Sequence, residues 1–498
     1  MLKLIITRTS SVITDIINTS LEQKVFPDKW KKALIKPIPK IDFPIKESDF
    51  RPISLLCTLS KIIEKLANRQ ICAYLNKHNL LDPYQSAYKP NHSCTTAHLK
   101  ITEDILEALD DSEMSLLVLL DFSKAFDTVN HRLLLEKLTI LGFQKDSLDW
   151  IKSYLSNRQQ KVITDTDKSD WSNISNGVPQ GSILGPLLFS ILVQDIRQYI
   201  YWGSYHSYAD DLQYYKSMKP CDANSNIELV NQDLQRVSDY CKNSALRINE
   251  GKCYYMFLGT RQAIKTINNT DLDNITINNT PIKRVEYVKN LGLTYDEILS
   301  WRKQVNLSVA RAMGNFVCIA RFRKFLSLEA KKILCESMVL SQFNFCDIVY
   351  TNIDIYLQKK IQKIQNICTK FIFDTNKNSV YNYDDLRADL NWLDMNQRRV
   401  SHGLIMLFKI LNNLGPTYLS DMYTINSDIS ERITRSFGGN IWIGNSRYSA
   451  IHRKSFRIYM SNIWNQLPNN VKSCKTVNTF KIKLKSLFIN KELVLPPR

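Results

Sequence analysis

Nowhere in the 498 residues does an apolar run approach the roughly 20 residues needed to cross a bilayer, so no membrane span is expected. The opening MLKLIITRTSS is apolar for too short a stretch to be a secretory leader, and no small-residue cleavage site follows it. The 11 cysteines include no C-x-x-C pair. That argues against a zinc knuckle and a secreted disulfide scaffold, and favours a reducing intracellular setting. Acidic residues are scarce at one end only. Residues 301–498 hold 13 Asp+Glu against 30 Lys+Arg, a balance of +17, whereas residues 1–300 hold 35 against 36. A basic bias sustained over that length, with aromatics interleaved, favours a polyanionic partner, most often nucleic acid.

What is present is ample apolar material: 44% of residues, in a chain long enough for several domains. FPDKWKKALIKPIPK (26–40) reads as a turn followed by a short strand. SKIIEKLANRQICAYL (60–75) has helical period, with Ile62, Ile63, Leu66, Ala67, Ile71, Tyr74 and Leu75 on one side and Lys61, Lys65 and Arg69 on the other. MSLLVLLDFSKAFDTV (114–129) opens as a buried strand ending at Asp121. GVPQGSILGPLLFSILVQDI (177–196) is a Gly/Pro turn leading into an apolar helix, with Pro186 in its first turn. TINNTDLDNITINNTPI (266–282) reads as a polar hairpin. From 301 the period turns helical, with one stripe through Leu307, Ala310, Met313, Val317 and Ala320. A second stripe runs through Leu357, Ile361, Ile364, Cys368 and Phe371, and Ser327 between them is a candidate N-cap. A loop-like stretch at about 424–447 precedes the last basic segment.

Residues 207–215 read SYADDLQYY. Two adjacent carboxylates, Asp210 and Asp211, stand among aromatic and aliphatic neighbours, and burying like charges side by side is costly. A solvated turn between two strands would explain a bare doublet; so would a bound divalent cation. Asp121, at the end of a buried strand, adds a third hard oxygen donor of the kind Mg²⁺ requires. Two such ions about 4 Å apart can activate a 3′-hydroxyl and stabilise a leaving pyrophosphate. Asp121 and Asp210 would be the principal ligands and Asp211 a supporting one, with Mn²⁺ as the alternative ion.

LLDFSKAFDTVNH, GVPQGSILGPLLF, YADD and LRINEGKCYYMFLG occur in the order of reverse transcriptase motifs A to D. Upstream, FPDKWKKALIKPIPK, FRPISLLCTLSKIIEKLANRQI and DPYQSAYKPNHSCTTAHL resemble the finger motifs of non-LTR (LINE-type) retrotransposon enzymes. Downstream, KNLGLTYDEILSW, LNWLDMNQRRVSHGLIMLFKILNN and IWNQLPNNVKSCKTVNTFKIKLK are similar to the thumb and C-terminal region of the Jockey group. The resemblance implies an α+β right-hand polymerase: fingers and palm over 1–300, a helical thumb over 301–380 and a basic C-terminal domain over 381–498. It implies RNA-directed DNA synthesis from a primer 3′-end on an RNA template, with deoxynucleotides as substrates and nuclear work on a DNA target. The finger motifs start close to Met1, so the endonuclease that the family carries is expected to come from elsewhere.

By the same resemblance, Phe126 matches the steric gate beneath the sugar, and Gln180 and Gly181 belong to the loop approaching the templating pair. Lys40 and Arg51 match basic finger residues that hold the triphosphate, and Lys252 matches a general acid for the departing pyrophosphate. Arg321, Arg323 and Lys324 form the densest basic cluster near the expected thumb, with IHRKSFR (451–457) the next candidate for a nucleic-acid grip. His131 has no partner ligands at useful spacing and is expected to be structural. Three departures stand out. YWGSYHS before the doublet is more polar than a family strand, Asn91 stands where glycine is usual, and Cys253 where threonine is usual. The rival readings are a catalytically decayed remnant that only binds nucleic acid, and an RNA-directed RNA polymerase, against which Phe126 argues.

Overall fold

The computed structural model describes residues 2–351, 353–375, 382–425, 439–443, 448–450, 452–493 and 495. The strands that position the site are, in chain order, β1 (Lys32–Pro39), β2 (Phe50–Leu55), β3 (Met114–Leu120), β4 (Arg158–Val162), β5 (Ser172–Ile174), β6 (Ser204–Tyr208), β7 (Asp211–Met218) and β8 (Tyr254–Leu258). β2, β1, β4 and β5 form one sheet in that order, with Lys36 opposite Ile53 and β1 parallel to β4. The central sheet runs Lys283–Arg284, β8, β3, β7, β6. It is antiparallel except where Lys283–Arg284 joins β8.

β3 is apolar except for Ser115, which is hydrogen-bonded to Ser217, because both faces of the central sheet are covered. Leu117 joins a core with Leu99, Ile101 and Ile105 of the helix Cys94–Asp110. Leu116, Val118 and Leu120 point the other way, into a core with Phe189 of the helix Leu184–Val193 and Leu234 of the helix Ala223–Asn243. The alternation is the period-two pleat of a strand buried on both sides. The result is the α+β architecture that the sequence predicts.

The helix Thr58–Lys77 buries Ile63, Ala67, Ile71 and Leu75 as its period requires, and leaves Lys61, Lys65 and Arg69 in solvent. Its buried face also carries Glu64, whose Oε2 accepts from the backbone N–H of Ile183 (2.8 Å) and Leu184 (3.3 Å). A carboxylate set against two unpaired N–H groups at the start of the helix Leu184–Val193 is favoured by the helix dipole. That contact ties the helix Thr58–Lys77 to the loop containing Gln180.

Past residue 301 the structure is helical, and the helix Ile355–Ile372 buries all five residues of its predicted stripe. Ser327 caps the helix Leu328–Leu334 through the N–H of Ala330, as expected. The helix Arg302–Ala320 is phased differently from the reading above. It buries Gln304, Val305, Ser308, Ala312 and Ile319, whereas Leu307 and Val317 are exposed. The inward face is partly polar because Gln304 has work there: it accepts from the N–H of Thr294 and donates to Ser308. Hydrophobic period alone could not reveal that. The expected hairpin at 266–282 is confined to Thr276–Ile277 paired with Thr280–Pro281, since residues 266–268 end the helix Arg261–Asn268. Most of the loop-like stretch at 424–447 lies outside the described residues. Its two ends pair as short strands, Ile425 opposite Ile441.

One apolar core runs from the helix Arg302–Ala320 through Ile355–Ile372 and Met395–Leu411 to Val477–Ile489, and reaches back to Cys94–Asp110. The expected boundary near 381 therefore does not divide the core. The helix Cys94–Asp110 also holds the far end of the chain by charge. His452, fully buried, places Nδ1 2.5 Å from Asp110 and Nε2 2.8 Å from Glu103, and Arg457 donates to Glu103 at 2.8 Å. Burial would lower the His452 pKa, but Glu103 and Asp110 together outweigh burial and hold it above the ordinary histidine value. His452 and Arg457 of IHRKSFR are thus turned inward, while Arg453 stays exposed and Ile451 lies outside the described residues. No helix among the described residues is long and apolar enough to cross a membrane.

Candidate active site

β3 ends at Leu120, so Asp121 emerges at the rim of the central sheet. β6 and β7 form a hairpin in which Tyr208 faces Asp211 across a two-residue turn, Ala209–Asp210. β7 pairs with β3 up to Leu120–Leu212, which brings the hairpin turn beside Asp121. Ala209 has φ +56°, a conformation an L-residue with a Cβ enters only when held. Gln85 holds it: the Ala209 N–H donates to Gln85 Oε1 at 2.9 Å, and Gln85 Nε2 donates to the Ala209 carbonyl at 3.2 Å. Gln85 lies in a quoted motif, yet nothing in the sequence marked it as the clamp of this turn.

Asp121, Asp210 and Asp211 line one cleft of about 1650 Å³ together with Lys40, Arg51, Phe126, Gln180 and Lys252. All three carboxyls are held above the ordinary aspartate range. For Asp121 the cause is burial, partly offset by Lys252, Asn249 and Lys40. For Asp210 it is burial and then repulsion from Asp121, eased by Arg51. Asp211, buried and repelled by Asp210 and Asp121, is pushed up to about 6. The mutual repulsion shows that the three share one field. Among the described residues no three His, Cys, Asp or Glu side chains stand in a finished ion-binding cluster. The donor set nevertheless fits a divalent cation: three hard carboxylate groups, two of them held up by a neighbour's charge as well as by burial, leave negative charge for a cation to neutralise.

Phe126 is half-buried, packed on Phe189 with ring centroids 4.8 Å apart, and also lines the cleft. Gln180 donates to Asp127 Oδ1 at 2.9 Å, and its carbonyl accepts from the N–H of Ser54 in β2. Gly181 has φ +123°, and a Cβ there would stand 2.8 Å from the Ser54 carbonyl oxygen. Its glycine thus has a reason within the chain, the close approach of this loop to β2. Lys40 donates to the Ser48 carbonyl. Lys252 lies in the Glu250–Lys252 turn, beside Asn249, whose N–H donates to the Asp121 carbonyl. Asn249 and Asp127 are further neighbours that the sequence reading did not single out. His131 donates from Nε2 to the Gly177 carbonyl, 2.8 Å away, a loop-bracing position.

Arg321, Arg323 and Lys324 are exposed and are not among the cleft-lining residues. Arg323 is paired with Asp374 at 2.6 Å, which also takes Lys331, so only Arg321 and Lys324 of this cluster lack a described carboxylate partner.

The three departures noted in the sequence have local explanations. The three buried polar residues of β6 each have a partner: Tyr205 donates to Asp82, His206 meets Ser86, and Ser207 pairs by backbone with Tyr84 and Ser86. Asn91 has φ +64°, which asparagine tolerates where glycine is otherwise needed. Cys253 is buried and donates to the Asn249 carbonyl, the bond a hydroxyl would make.

A family model described as reverse transcriptase (RNA-dependent DNA polymerase) matches residues 38–295. The chain is 29% identical over 331 residues to the probable RNA-directed DNA polymerase from transposon BS of Drosophila melanogaster, covering 64% of this chain and 35% of that protein. It is 28% identical over 372 residues to the corresponding protein from transposon X-element of the same species, covering 72% and 39%. The chain therefore spans little more than a third of these curated relatives. A solved apo telomerase from Candida Tropicalis overlaps 80% of this chain and 72% of that one at 12% identity. Its TM-score of 0.42 is too low to add to the fold read from the sheets. The matched span includes every cleft residue named above and more than half of the chain. By that match, the chain belongs to the reverse transcriptase (RNA-dependent DNA polymerase) family.

Proposed function

We propose that this chain is the RNA-directed DNA polymerase of a non-LTR retrotransposon, extending a DNA primer 3′-end on an RNA template with deoxynucleotides. The observation that carries the reading is three mutually repelling carboxylates, Asp121, Asp210 and Asp211, at the floor of a cleft whose walls supply Lys40, Arg51 and Lys252. A pair of divalent ions, Mg²⁺ or alternatively Mn²⁺, would be held by those carboxylates and would supply the positive charge for the attacking hydroxyl and leaving pyrophosphate. Lys40 and Arg51, on and beside the finger strands, neutralise the triphosphate. Lys252, close enough to Asp121 to lower its pKa, protonates the departing pyrophosphate. Phe126, braced by Phe189, excludes a 2′-hydroxyl, and Gln180 and Gly181 face the templating pair. A DNA target places this work in the nucleus.

The deciding experiment is extension of a labelled DNA primer on an RNA template by the purified chain with Mg²⁺ and deoxynucleotides. Template-dependent extension is expected; none with either ion would overturn the reading in favour of a chain that only binds nucleic acid.

The grip on the duplex belongs to the basic half, with Arg321 and Lys324 the cations of this cluster that have no carboxylate partner among the described residues. Phosphate contacts release condensed counterions, so binding weakens as salt rises. Changing Arg321 and Lys324 to Gln should weaken template–primer binding alike for all sequences. The log–log salt slope should flatten by roughly one unit per lost contact. An unchanged slope would place this cluster off the nucleic-acid path.

A further inference from the structure

The C-terminal half also reaches the catalytic hairpin directly, and Tyr418 is one of the side chains that does so. Tyr418, in the short helix Thr417–Ser420, is buried against β6 and the segment that clamps it. Its ring stacks on Tyr84 at 6.2 Å and meets the edge of His206 at 5.2 Å. Its hydroxyl lies 2.8 Å from Ser86 Oγ and 3.2 Å from Thr96 Oγ1, and Ser86 Oγ lies 2.8 Å from His206 Nε2. His206, Ser86 and Thr96 are each fully buried or nearly so.

Proton bookkeeping fixes the direction of this chain of bonds. Thr96 spends its hydroxyl hydrogen on the Ser93 carbonyl, so it accepts from Tyr418. Tyr418 has one hydrogen, so toward Ser86 it must accept. Ser86 then donates to Tyr418 and accepts from His206, which makes His206 the Nε2–H tautomer. That assignment leaves His206 Nδ1 as a bare lone pair, and Nδ1 has no hydrogen-bond partner among the described residues. A single relay therefore runs from β6 through Ser86 and Tyr418 to Ser93, the N-cap of the helix Cys94–Asp110.

We propose that Tyr418 is a positioning residue for the hairpin bearing Asp210 and Asp211, so that the C-terminal half completes the catalytic half as well as gripping nucleic acid. The two anchors act at different places. Gln85 holds the turn at Ala209, and Ser86, next in sequence, ties the adjoining strand to Tyr418. Removing the Tyr418 hydroxyl breaks the relay at its centre while leaving the ring to fill its site. The inference rests on reading the cleft as the nucleotidyl-transfer site only for its effect on rate.

The test uses the full chain with Tyr418→Phe, Ser86→Ala and the double substitution. Hydrogen exchange at 204–218 should quicken by about tenfold in Tyr418→Phe, with the finger strand Lys32–Pro39 unchanged. The kcat for primer extension should fall by about tenfold, with template–primer Kd and its salt slope unaltered. Because both substitutions break one relay, the double variant should be no worse than the poorer single one. Unchanged exchange at the hairpin would overturn the inference, as would a loss of affinity with kcat intact, which marks a residue of the grip. Faster hairpin exchange in a chain that extends no primer would instead sustain Tyr418 as the support and overturn only the proposed activity.

Discussion

Asp210→Asn should abolish primer extension, lowering the single-turnover rate by roughly a thousandfold or more, while the chain still folds and still binds template–primer. A lost principal ligand removes several kcal/mol of transition-state charge stabilisation, and about 1.4 kcal/mol is tenfold in rate. The substitution is nearly isosteric, and the turn itself is held by Gln85 through backbone atoms of Ala209, which it leaves alone. Removing one of three repelling charges should also raise the melting temperature slightly when the protein is kept in chelator. Burial and the Asp121 carboxylate both oppose ionised Asp210 in the folded chain. Extension by the variant within a few-fold of the parent would remove the doublet from the mechanism, whatever the stability measurement gave.

Phe126→Ala should admit ribonucleotides. A gate works by penalising the wrong sugar, so the expected change is a loss of discrimination larger than the loss of deoxynucleotide incorporation. An excluded group in a fitted pocket is worth about 1–3 kcal/mol, or roughly 10–100-fold in the ratio of kcat/KM values. Phe126 also packs on Phe189, so the alanine variant loses contact area and some stability. Phe126→Val keeps part of that contact and should still relax the choice of sugar. Equal discrimination in both variants and the parent would make Phe126 a packing residue that happens to border the cleft.

What could be read from the sequence was whatever is encoded locally. Asp121 follows the largely apolar strand β3, and the doublet spans a tight turn and the first residue of the next strand, so the neighbours of both already mark a strand end and a hairpin. The stripe on Ile355–Ile372 was legible because its buried face is purely periodic. The stripe on Arg302–Ala320 was not, because Gln304 and Ser308 are buried through hydrogen bonds that hydropathy scores as surface. Glu64 was hidden for the same reason: a carboxylate buried to cap a helix 119 residues away leaves no mark on its own helix. Polar β6 looked like a departure from its motif until Asp82, Ser86 and Tyr418 were seen around it. Arg323 and Arg457 counted as free charge in a running total, yet Asp374 and Glu103 already claim them. Net charge gives the sign of a surface, and only the fold says which cations remain to make it.

The ion pairs between His452 and the helix Cys94–Asp110 join residues 342 positions apart. At 5–20 residues per second, a ribosome needs roughly 17–70 s to travel between them. Throughout that interval Asp110 and Glu103 have no His452 or Arg457 to meet, and Leu99 and Ile105 face a core whose later helices have yet to be made. The helix Cys94–Asp110 therefore cannot complete its packing until residues 452–457 have been made. Protease cleavage within 94–110 of ribosome-held chains, and its disappearance on release, would read this directly. A chain assembled in that order carries an open core until residue 452 has been made, so the last helices to be synthesised decide when the first ones are finished.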